Sequence, residues 1–374
     1  MARQAPKWIW EQSDWPAFRW DDRALAQSLA GLRRAQGALL ARTDALLDAD
    51  RTDALKEFLI REGLDTSRIE GEVLDPNAVR SSVMRRLGMA TAGLPGPEPR
   101  VEGLIAMLMD ATTVHDQPLD LVRLYRWQAG LFPQDRLGIR HIRTGELRGD
   151  DPMQVVSGPE GRERVHYEAP PRAVLEVELA AYLDWFGESQ GTMDGLLRAG
   201  LAHLWFETLH PFEDGNGRVG RAVAEMAIAQ DEGRDMRSFS LSGQLMRERD
   251  AYYAQLEAAQ RSDLDVTPWL AWFLEQLSAA VAEAGAALDG TLQRARFWMR
   301  HRDLDLNARQ RKVLNRMLDE EPQGFEGGMT NRKYRSIANT SFQTATRDLA
   351  DLVEKGCLLV TGAGRSTAYR LADL

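Results

Sequence analysis

Apolar residues at helical spacing run through most of this chain, and this pattern limits what the chain can fold into. After a tryptophan-rich opening, one such pattern covers residues 23–48 and a second covers residues 53–70. The strongest hairpin signal before the C-terminus lies at residues 154–156 and 164–167, where two β-rich pieces flank a glycine-containing turn. We therefore predict a mainly α fold that carries a small β-hairpin on a helical scaffold.

Further helical patterns lie on both sides of the hairpin. They cover residues 101–113, 119–132, 172–186, 195–209, 216–230, 244–261 and 268–288. From residue 307 the pattern changes to three short helices, followed by two β-rich pieces around a glycine turn. Three helices and a two-stranded wing are the outline of a winged helix-turn-helix domain.

Composition excludes several classes of protein. A formal net charge of −9 argues against a protein that is coated in nucleic acid or held on anionic lipid by charge alone. The single cysteine, Cys357, excludes an internal disulfide and a cysteine-based metal site. No apolar stretch approaches the roughly 20 residues that span a bilayer, and no signal peptide is recognisable, so we expect a cytoplasmic protein without a membrane partner.

The residues that carry chemistry lie in one stretch, residues 210–221, which reads His-Pro-Phe-Glu-Asp-Gly-Asn-Gly-Arg-Val-Gly-Arg. Gly215 and Gly217 permit a tight loop whose backbone N–H groups converge, and the helix that follows presents its positive N-terminal end. Together they would cradle an anion such as phosphate. Arg218 and Arg221 are spaced i and i+3 on one helix face, so both guanidinium groups could reach the same polyphosphate.

Two further side chains would complete a phosphate-transfer site. Asp214 offers a hard oxygen ligand for Mg²⁺ bound together with nucleotide phosphates. His210 is the only base of the stretch that is suited to neutral pH, where it would take a proton from a hydroxyl that attacks phosphorus. Each residue taken alone has an ordinary structural explanation, and the residues by themselves leave both phosphate binding and phosphate chemistry open.

The twelve residues resemble the signature of the Fic family and match it at every position. That signature is His-Pro-Phe, any residue, Asp or Glu, Gly-Asn-Gly-Arg, two residues and Arg; it is distinct from the P-loop, which ends in Gly-Lys-Ser/Thr. The resemblance implies that His210 is the general base, that Asp214 binds Mg²⁺, and that Asn216 and the amides of Gly215 and Gly217 surround the phosphates of ATP.

The resemblance also bears on which phosphate is attacked. It implies that Arg218 and Arg221 hold the β and γ phosphates. In the Doc-type kinase relatives the glycine-rich loop is altered and the terminal phosphate is transferred, whereas Gly217 is intact here. Attack at the α phosphorus is thereby favoured, which implies transfer of AMP from ATP to a hydroxyl of a target protein, or of the chain itself, with pyrophosphate leaving.

Residues 66–71, Thr-Ser-Arg-Ile-Glu-Gly, resemble the inhibitory motif of the same family. That motif is Ser or Thr, three residues, Glu, then Gly or Asn. At the end of a predicted helix that Gly71 would stop, Glu70 could pair with Arg221 and leave ATP in an unproductive pose. The resemblance therefore makes Thr66, Glu70 and Gly71 regulatory and the enzyme self-inhibited. The alternative is that Thr66 and Glu70 are surface residues of an amphipathic helix.

Other regions take expected roles from the resemblance. The 154–167 hairpin is similar to the target-docking flap of the family, in which a strand edge pairs with an extended segment of the substrate protein. Tyr252 and Tyr253 would close the adenine pocket, although aromatic residues at helical spacing are more often core. The expected domains are an N-terminal helical region over 1–98, a Fic catalytic core over 99–290 and a winged helix-turn-helix over 291–374. A homodimer is expected by analogy only.

The C-terminal region 307–374 carries 11 Lys/Arg against 8 Asp/Glu. Thr344 and Arg347 on its third helix, with Arg365 and Arg370 in the wing, are candidate contacts to DNA phosphates. Such domains also serve dimerisation and protein docking. A DNA-binding regulator with a nucleotide-sensing core is therefore an alternative function, and transfer of another nucleotide or phosphate group is a second.

Overall fold

The computed structural model describes residues 7–44, 48–134, 136–137, 140–158, 162, 164–235, 237–320, 325, 327–362 and 364–372. The chain divides into two compact units, Met1–Ala282 and Glu283–Leu374. The predicted domain boundaries after residues 98 and 290 stay predictions.

Helices make up most of both units, which confirms the predicted mainly α class. The first unit contains α1 Asp22–Asp44, α2 Asp48–Ile69, α3 Pro76–Arg86, α4 Pro99–Thr113, α5 Leu121–Leu131, α6 Arg172–Glu188, α7 Gly195–Leu209, α8 Asn216–Glu232, α9 Leu241–Arg247 and α10 Arg249–Gln260. The remaining helices are α11 Thr267–Arg300, α12 Ala308–Asp319, α13 Asn331–Ala338 and α14 Phe342–Glu354. Among the described helices, none combines the length and the apolar composition that crossing a bilayer requires.

Within the part of the chain that the structure describes, three antiparallel strand pairs accompany the helices. They are β1 Arg136–Leu137 with β2 Arg140–His141, β3 Gln154–Ser157 with β4 Arg164–Glu168, and β5 Leu358–Thr361 with β6 Ala368–Leu371. The predicted hairpin corresponds to β3 and β4, whose register shifts between Val155 and Val156. Part of its expected turn, residues 159–161, lies outside the described residues.

Some helix predictions are wrong in detail. The helix expected over 244–261 is divided into α9 and α10, because Glu248 leaves helical geometry with φ −103° and ψ 30°. Helix α3 was not predicted, because its sequence is largely polar. Its start is marked by Asp75, whose side chain accepts a hydrogen bond from the amide of Asn77. Helix α11 extends past residue 288 to Arg300.

Helix α7 forms the centre of the first unit, and every one of its residues is buried. Asp194 begins it by accepting hydrogen bonds from the amides of Leu196 and Leu197. A side chain at Gly200 would approach Phe273 to 2.9 Å, so glycine lets α11 pack closely here. Helix α7 packs most extensively on α8, and the loop between these two helices carries the predicted site.

The N-terminal tryptophans brace the base of the hairpin. Trp8 meets Tyr167 of β4 edge to face at 5.3 Å, and the Trp10 indole donates a 2.8 Å hydrogen bond to the carbonyl of Glu168. These contacts attach one strand of an otherwise exposed hairpin to the helical body.

The second unit has its own hydrophobic core, which α12, α13, α14, β5 and β6 share. Its assignment as a winged helix-turn-helix stays a prediction. Arg347 on α14 and Arg370 on β6 are exposed, Thr344 is partly buried, and the side chain of Arg365 lies outside the described residues.

Candidate active site

His210 lies at the point where α7 ends. Its backbone is left-handed, with φ 47° and ψ 58°, and its side chain is 18% exposed. The buried Arg148 holds this turn, because its Nε donates to the His210 carbonyl and its amide donates to the Pro211 carbonyl, both at 3.0 Å. The imidazole therefore sits on a rigid main chain.

Burial lowers the pKa of His210 to about 4, and the charge of Arg148 acts in the same direction. The ring is therefore neutral at neutral pH. Its Nδ1 lies 3.4 Å from the carbonyl oxygen of Glu207. We assign the proton to Nδ1 on this ground, which leaves the Nε2 lone pair available to accept a proton.

The loop from Pro211 to Gly217 is closed by one side chain. Asn216 accepts from the amide of Phe212 at 2.9 Å and donates to its carbonyl at 2.8 Å. Gly215 precedes α8 with φ 87°, a conformation that favours glycine. The described contacts of the Asn216 side chain thus shape the loop, and its predicted contact with nucleotide stays a prediction.

Asp214 lies on the wall of the cavity that this loop borders. One of its oxygens accepts from the amide of Gly215 at 2.5 Å and lies 3.7 Å from Arg218 Nη2. Burial raises the pKa of the carboxyl, while attraction to Arg218 opposes the rise. No cluster of three or more metal-binding side chains occurs among the described residues. A single carboxylate on a cavity wall nevertheless fits Mg²⁺ bound together with a phosphate ligand, because Mg²⁺ usually takes only one or two protein carboxylates and fills the rest of its shell with phosphate oxygens and water.

Arg221 is buried, with 1% of its side chain exposed, and the end of α2 surrounds it. Its Nε donates to Thr66 Oγ1 at 2.8 Å, and its Nη2 donates to the Thr66 carbonyl at 2.9 Å and to Glu70 Oε1 at 2.8 Å. Its Nη1 has no hydrogen-bond partner. Two distant parts of the sequence, residues 66–71 and 210–221, therefore meet at this arginine.

Glu70 reaches Arg221 through the space above Gly217. A side chain at Gly217 would place its Cβ 2.2 Å from Glu70 Oε1. Burial favours the neutral form of Glu70, but attraction to Arg221, with Arg218 and His210 adding to it, outweighs burial and lowers its pKa. The Glu70 carboxylate is therefore charged at neutral pH. Its side chain is 30% exposed.

Arg218, the other arginine of residues 210–221, is paired with a second carboxylate, that of Glu72. Arg218 Nη1 donates to Glu72 Oε2 at 3.0 Å, and the other Glu72 oxygen pairs with Arg100 of α4. Arg218 is 4% exposed, and its Nε has no partner. Sequence reasoning missed Glu72 and Arg100; the only available signal was a second acid two residues after Glu70.

The turn after α2 brings the carboxylates of Glu70 and Glu72 to the site. Gly71 adopts φ 79°, and the amide of Glu72 donates back to the Ser67 carbonyl at 2.9 Å, which ends the helix.

Helix α2 is also attached to the start of α9. The buried Glu62 of α2 accepts hydrogen bonds from Ser240 Oγ at 2.5 Å and from the amide of Ser242 at 3.2 Å.

The two predicted adenine-pocket tyrosines have different surroundings. Tyr252 is buried and shares a 2.8 Å hydrogen bond with His203 Nε2. Tyr253 is 39% exposed, and its hydroxyl donates to the Ile69 carbonyl at 3.1 Å. Both line the cavity, and Tyr253 also contacts the end of α2.

Most of the predicted site residues, but not Arg218 or Thr66, border one cavity of about 810 Å³, a size that suits a nucleotide. Its wall includes His210, Asp214, Arg221 and Tyr253, together with strand β3, whose four residues are all exposed. Glu207, a buried acid on this wall, was missed from the sequence. One of its oxygens has no partner and the other lies 3.8 Å from His210 Nδ1, and burial raises its pKa to about 8.

In this mainly helical unit, a histidine that is neutral at neutral pH and the buried Arg221 line one cavity, and this arrangement is suited to binding an anion. The sequence of residues 118–228 matches the Fic/DOC family, and residues 8–89 match a domain of unknown function, DUF4172. The Fic/DOC match therefore covers the segment that holds His210, Arg218 and Arg221.

Individual relatives agree with that family. A protein adenylyltransferase, fic-1, from Caenorhabditis briggsae is 38% identical over 96 residues, which are 25% of this chain and 17% of that protein. A probable protein adenylyltransferase from Aquifex aeolicus is 27% identical over 100 residues, 27% of this chain and 28% of that protein. The chain thus matches only a minor part of the length of these relatives.

A solved structure extends the likeness in fold to nearly the whole chain. The Fic family protein from Desulfovibrio desulfuricans superposes with a TM-score of 0.52 at 20% identity, covering 93% of this chain and 96% of that one. At this identity the likeness concerns the fold alone.

Proposed function

We propose that this chain is a protein adenylyltransferase that moves AMP from ATP to a hydroxyl of a target protein, or of the chain itself. The observation that carries the proposal is that a neutral His210 and the buried Arg221, with an unpartnered nitrogen, face one cavity of nucleotide size. The names of the relatives support the same activity.

The reaction follows from these residues. The target hydroxyl attacks the α phosphorus, a new O–P bond forms, and the bond to the bridging oxygen of pyrophosphate breaks. His210 Nε2 takes the hydroxyl proton, while its Nδ1–H stays directed at the Glu207 carbonyl. Arg218 and Arg221, with the amides at the start of α8, bind the negative charge of the polyphosphate.

Asp214 would hold Mg²⁺ against the phosphates. When bound, the ion would neutralise phosphate charge and fix the leaving pyrophosphate. Two observations support this role: the Gly215 amide donates to the Asp214 carboxylate, and Asp214 lines the cavity.

Glu70 restrains the enzyme by occupying Arg221. Its carboxylate takes the hydrogen bond from Nη2 that a terminal phosphate would accept. It also fills the space above Gly217, where a phosphate would approach the backbone. Displacement of Glu70 would therefore permit a productive pose of ATP.

Strand β3 would present the target. It is exposed along its whole length, pairs on one side with β4, and lines the same cavity as His210. An extended segment of the target could pair with its other edge, which would align a hydroxyl with the α phosphorus.

The proposal is tested by incubating the purified chain with Mg²⁺ and ATP labelled at the α phosphate, alone and with cell lysate. Wild type, Glu70→Gly and Glu70→Gly/His210→Ala are compared. We expect label on protein that rises with Glu70→Gly and disappears with the added His210→Ala. Label that persists without His210 would contradict the mechanism, and label only from γ-labelled ATP would indicate phosphate transfer instead.

The second unit supports DNA binding as a second candidate function. From Thr330 to Arg347 there are four Lys/Arg and no Asp/Glu, and Arg332, Arg335 and Arg347 are exposed. Such a basic surface around a short helix fits the backbone of a duplex. Its test is the salt dependence of binding to a fluorescent DNA duplex, with Arg335→Ala and Arg347→Ala as variants and Arg316→Ala on α12 as the matched control. Binding that does not respond to salt, or that weakens equally in the control, would contradict it.

A further inference from the structure

Glu72 lies between two arginines that come from different helices. Arg218 of α8 donates to one oxygen of its carboxylate at 3.0 Å, and Arg100, in the first turn of α4, pairs with the other oxygen. The carboxylate therefore has one guanidinium on each side. Two guanidinium groups on either side of one carboxylate can also bind a phosphate, because both anions accept hydrogen bonds from arginine in the same way.

The two-arginine site contains a hydrogen-bond donor that the Glu72 carboxylate does not use. Arg218 is buried, yet its Nε has no hydrogen-bond partner, although a buried guanidinium nitrogen ordinarily finds one. Its guanidinium also lies over the ring of Phe132 at 5.1 Å, which fixes the plane in which its donors point. A phosphate has three or more acceptor oxygens and could satisfy a donor that the two oxygens of Glu72 leave unused.

The site adjoins the nucleotide cavity. Arg218 Nη2 lies 3.7 Å from Asp214, and Asp214 lines that cavity. Glu70 pairs with Arg221, whereas Glu72 pairs with Arg218. The two carboxylates therefore occupy two separate positions, and in the proposed function each position would hold a phosphate.

We propose that Arg100 and Arg218 form a binding site for one phosphate of the nucleoside triphosphate, and that Glu72 occupies this site in the restrained form of the chain. Arg100 then belongs to the nucleotide site although it lies outside residues 210–221. Glu72 acts as a second internal competitor beside Glu70. The inference depends on the proposed function in that ATP is taken as the ligand.

The test measures binding of ATP and of AMP by calorimetry in the full chain, with Mg²⁺. The variants are Glu70→Gly, Glu70→Gly/Glu72→Gln, and the latter with Arg100→Ala added. Glu98→Gln and Arg126→Ala are matched controls, an exposed acid two residues before Arg100 and an exposed arginine on α5. Thermal unfolding of each variant verifies that it is folded.

We expect Glu72→Gln to raise ATP affinity about tenfold beyond Glu70→Gly and to leave AMP affinity unchanged, because AMP lacks the outer phosphates. Arg100→Ala should remove this gain for ATP alone. Equal ATP affinity with and without Glu72, or no effect of Arg100→Ala in the Glu72→Gln background, would overturn the inference. ATP binding without any AMP transfer would instead overturn the proposed function and leave the two-arginine site intact, whereas absence of ATP binding in every variant would overturn both.

Discussion

The Glu70 carboxylate and the Arg221 guanidinium lie 2.8 Å apart, although 151 residues separate them in the chain. The pair places the end of one helix on the start of another, in the space that only a glycine at position 217 leaves open. An acid in the N-terminal part of the chain is thereby in direct contact with the segment 118–228, which matches the Fic/DOC family.

This pair predicts a pH dependence of stability. The pKa of Glu70 in the folded chain lies below its ordinary value of 4.5, because Arg221 outweighs the opposing effect of burial. A carboxyl with a lowered folded pKa stabilises the fold above its unfolded pKa, and this stabilisation is lost as pH falls through the folded pKa. Glu70→Gln should therefore lower the melting temperature at pH 7, and this effect should shrink as pH falls below 4.5 and through the folded pKa. A difference that stays constant over this range would contradict the pair, and Glu98→Gln serves as the control.

Besides Glu70, Thr66 also accepts a hydrogen bond from the Arg221 side chain. Its hydroxyl accepts from Nε at 2.8 Å within a buried environment. Thr66→Val keeps the shape and removes the acceptor, so we expect a loss of about 1–3 kcal/mol in the free energy of unfolding. We also expect a modest gain in ATP affinity, because Nε is released. Thr66→Ser keeps the hydroxyl and should behave as wild type in denaturant titration; equal behaviour of Val and Ser would refute the role of the hydroxyl.

His210 should remain neutral over the whole physiological range. Burial lowers its pKa to about 4, against an ordinary value of 6.5, so the folded chain resists protonation between these values. NMR titration of the ring, assigned by comparison with His210→Ala, should show a midpoint near 4. A midpoint near 6.5 would mean that the ring is open to water in solution and that the site differs from the one described.

The sequence was sufficient to predict those parts of the site whose structure depends on residues close together in the chain. The predicted bounds of α7 are correct: Asp194 caps its start, most of its residues are apolar, and a proline follows His210. The loop and the start of α8 followed from the glycines and from the spacing of Arg218 and Arg221. Local capping, hydrophobicity and glycine placement determine these features, and all of them can be read within a few residues.

The parts that sequence reasoning missed depend on packing between distant segments. Arg218 meets Glu72 across 146 residues, and Arg100 reaches the same carboxylate only because α4 packs beside α2. Glu207 was missed for a different reason: a single acid in an apolar helix gives no sign of whether it faces the core or a cavity. Its importance became visible only from its distance to His210.

Glu207 provides the last prediction. Burial raises its pKa to about 8 from an ordinary 4.5, with Glu70 adding to the rise and Arg221 opposing it, so it is mostly protonated at pH 7. A group with a raised folded pKa stabilises the fold fully below its unfolded pKa, and this stability is lost as pH rises through the folded pKa. Glu207→Gln resembles the protonated carboxyl and does not ionise, so its melting temperature should be close to wild type at pH 5 and progressively higher than wild type between pH 5 and 9. Glu275→Gln, an exposed acid on α11, is the control and should show no such trend. If Glu207→Gln instead lowers the melting temperature at pH 9, the carboxyl is ionised and paired in solution, and the neutral acid beside His210 is refuted.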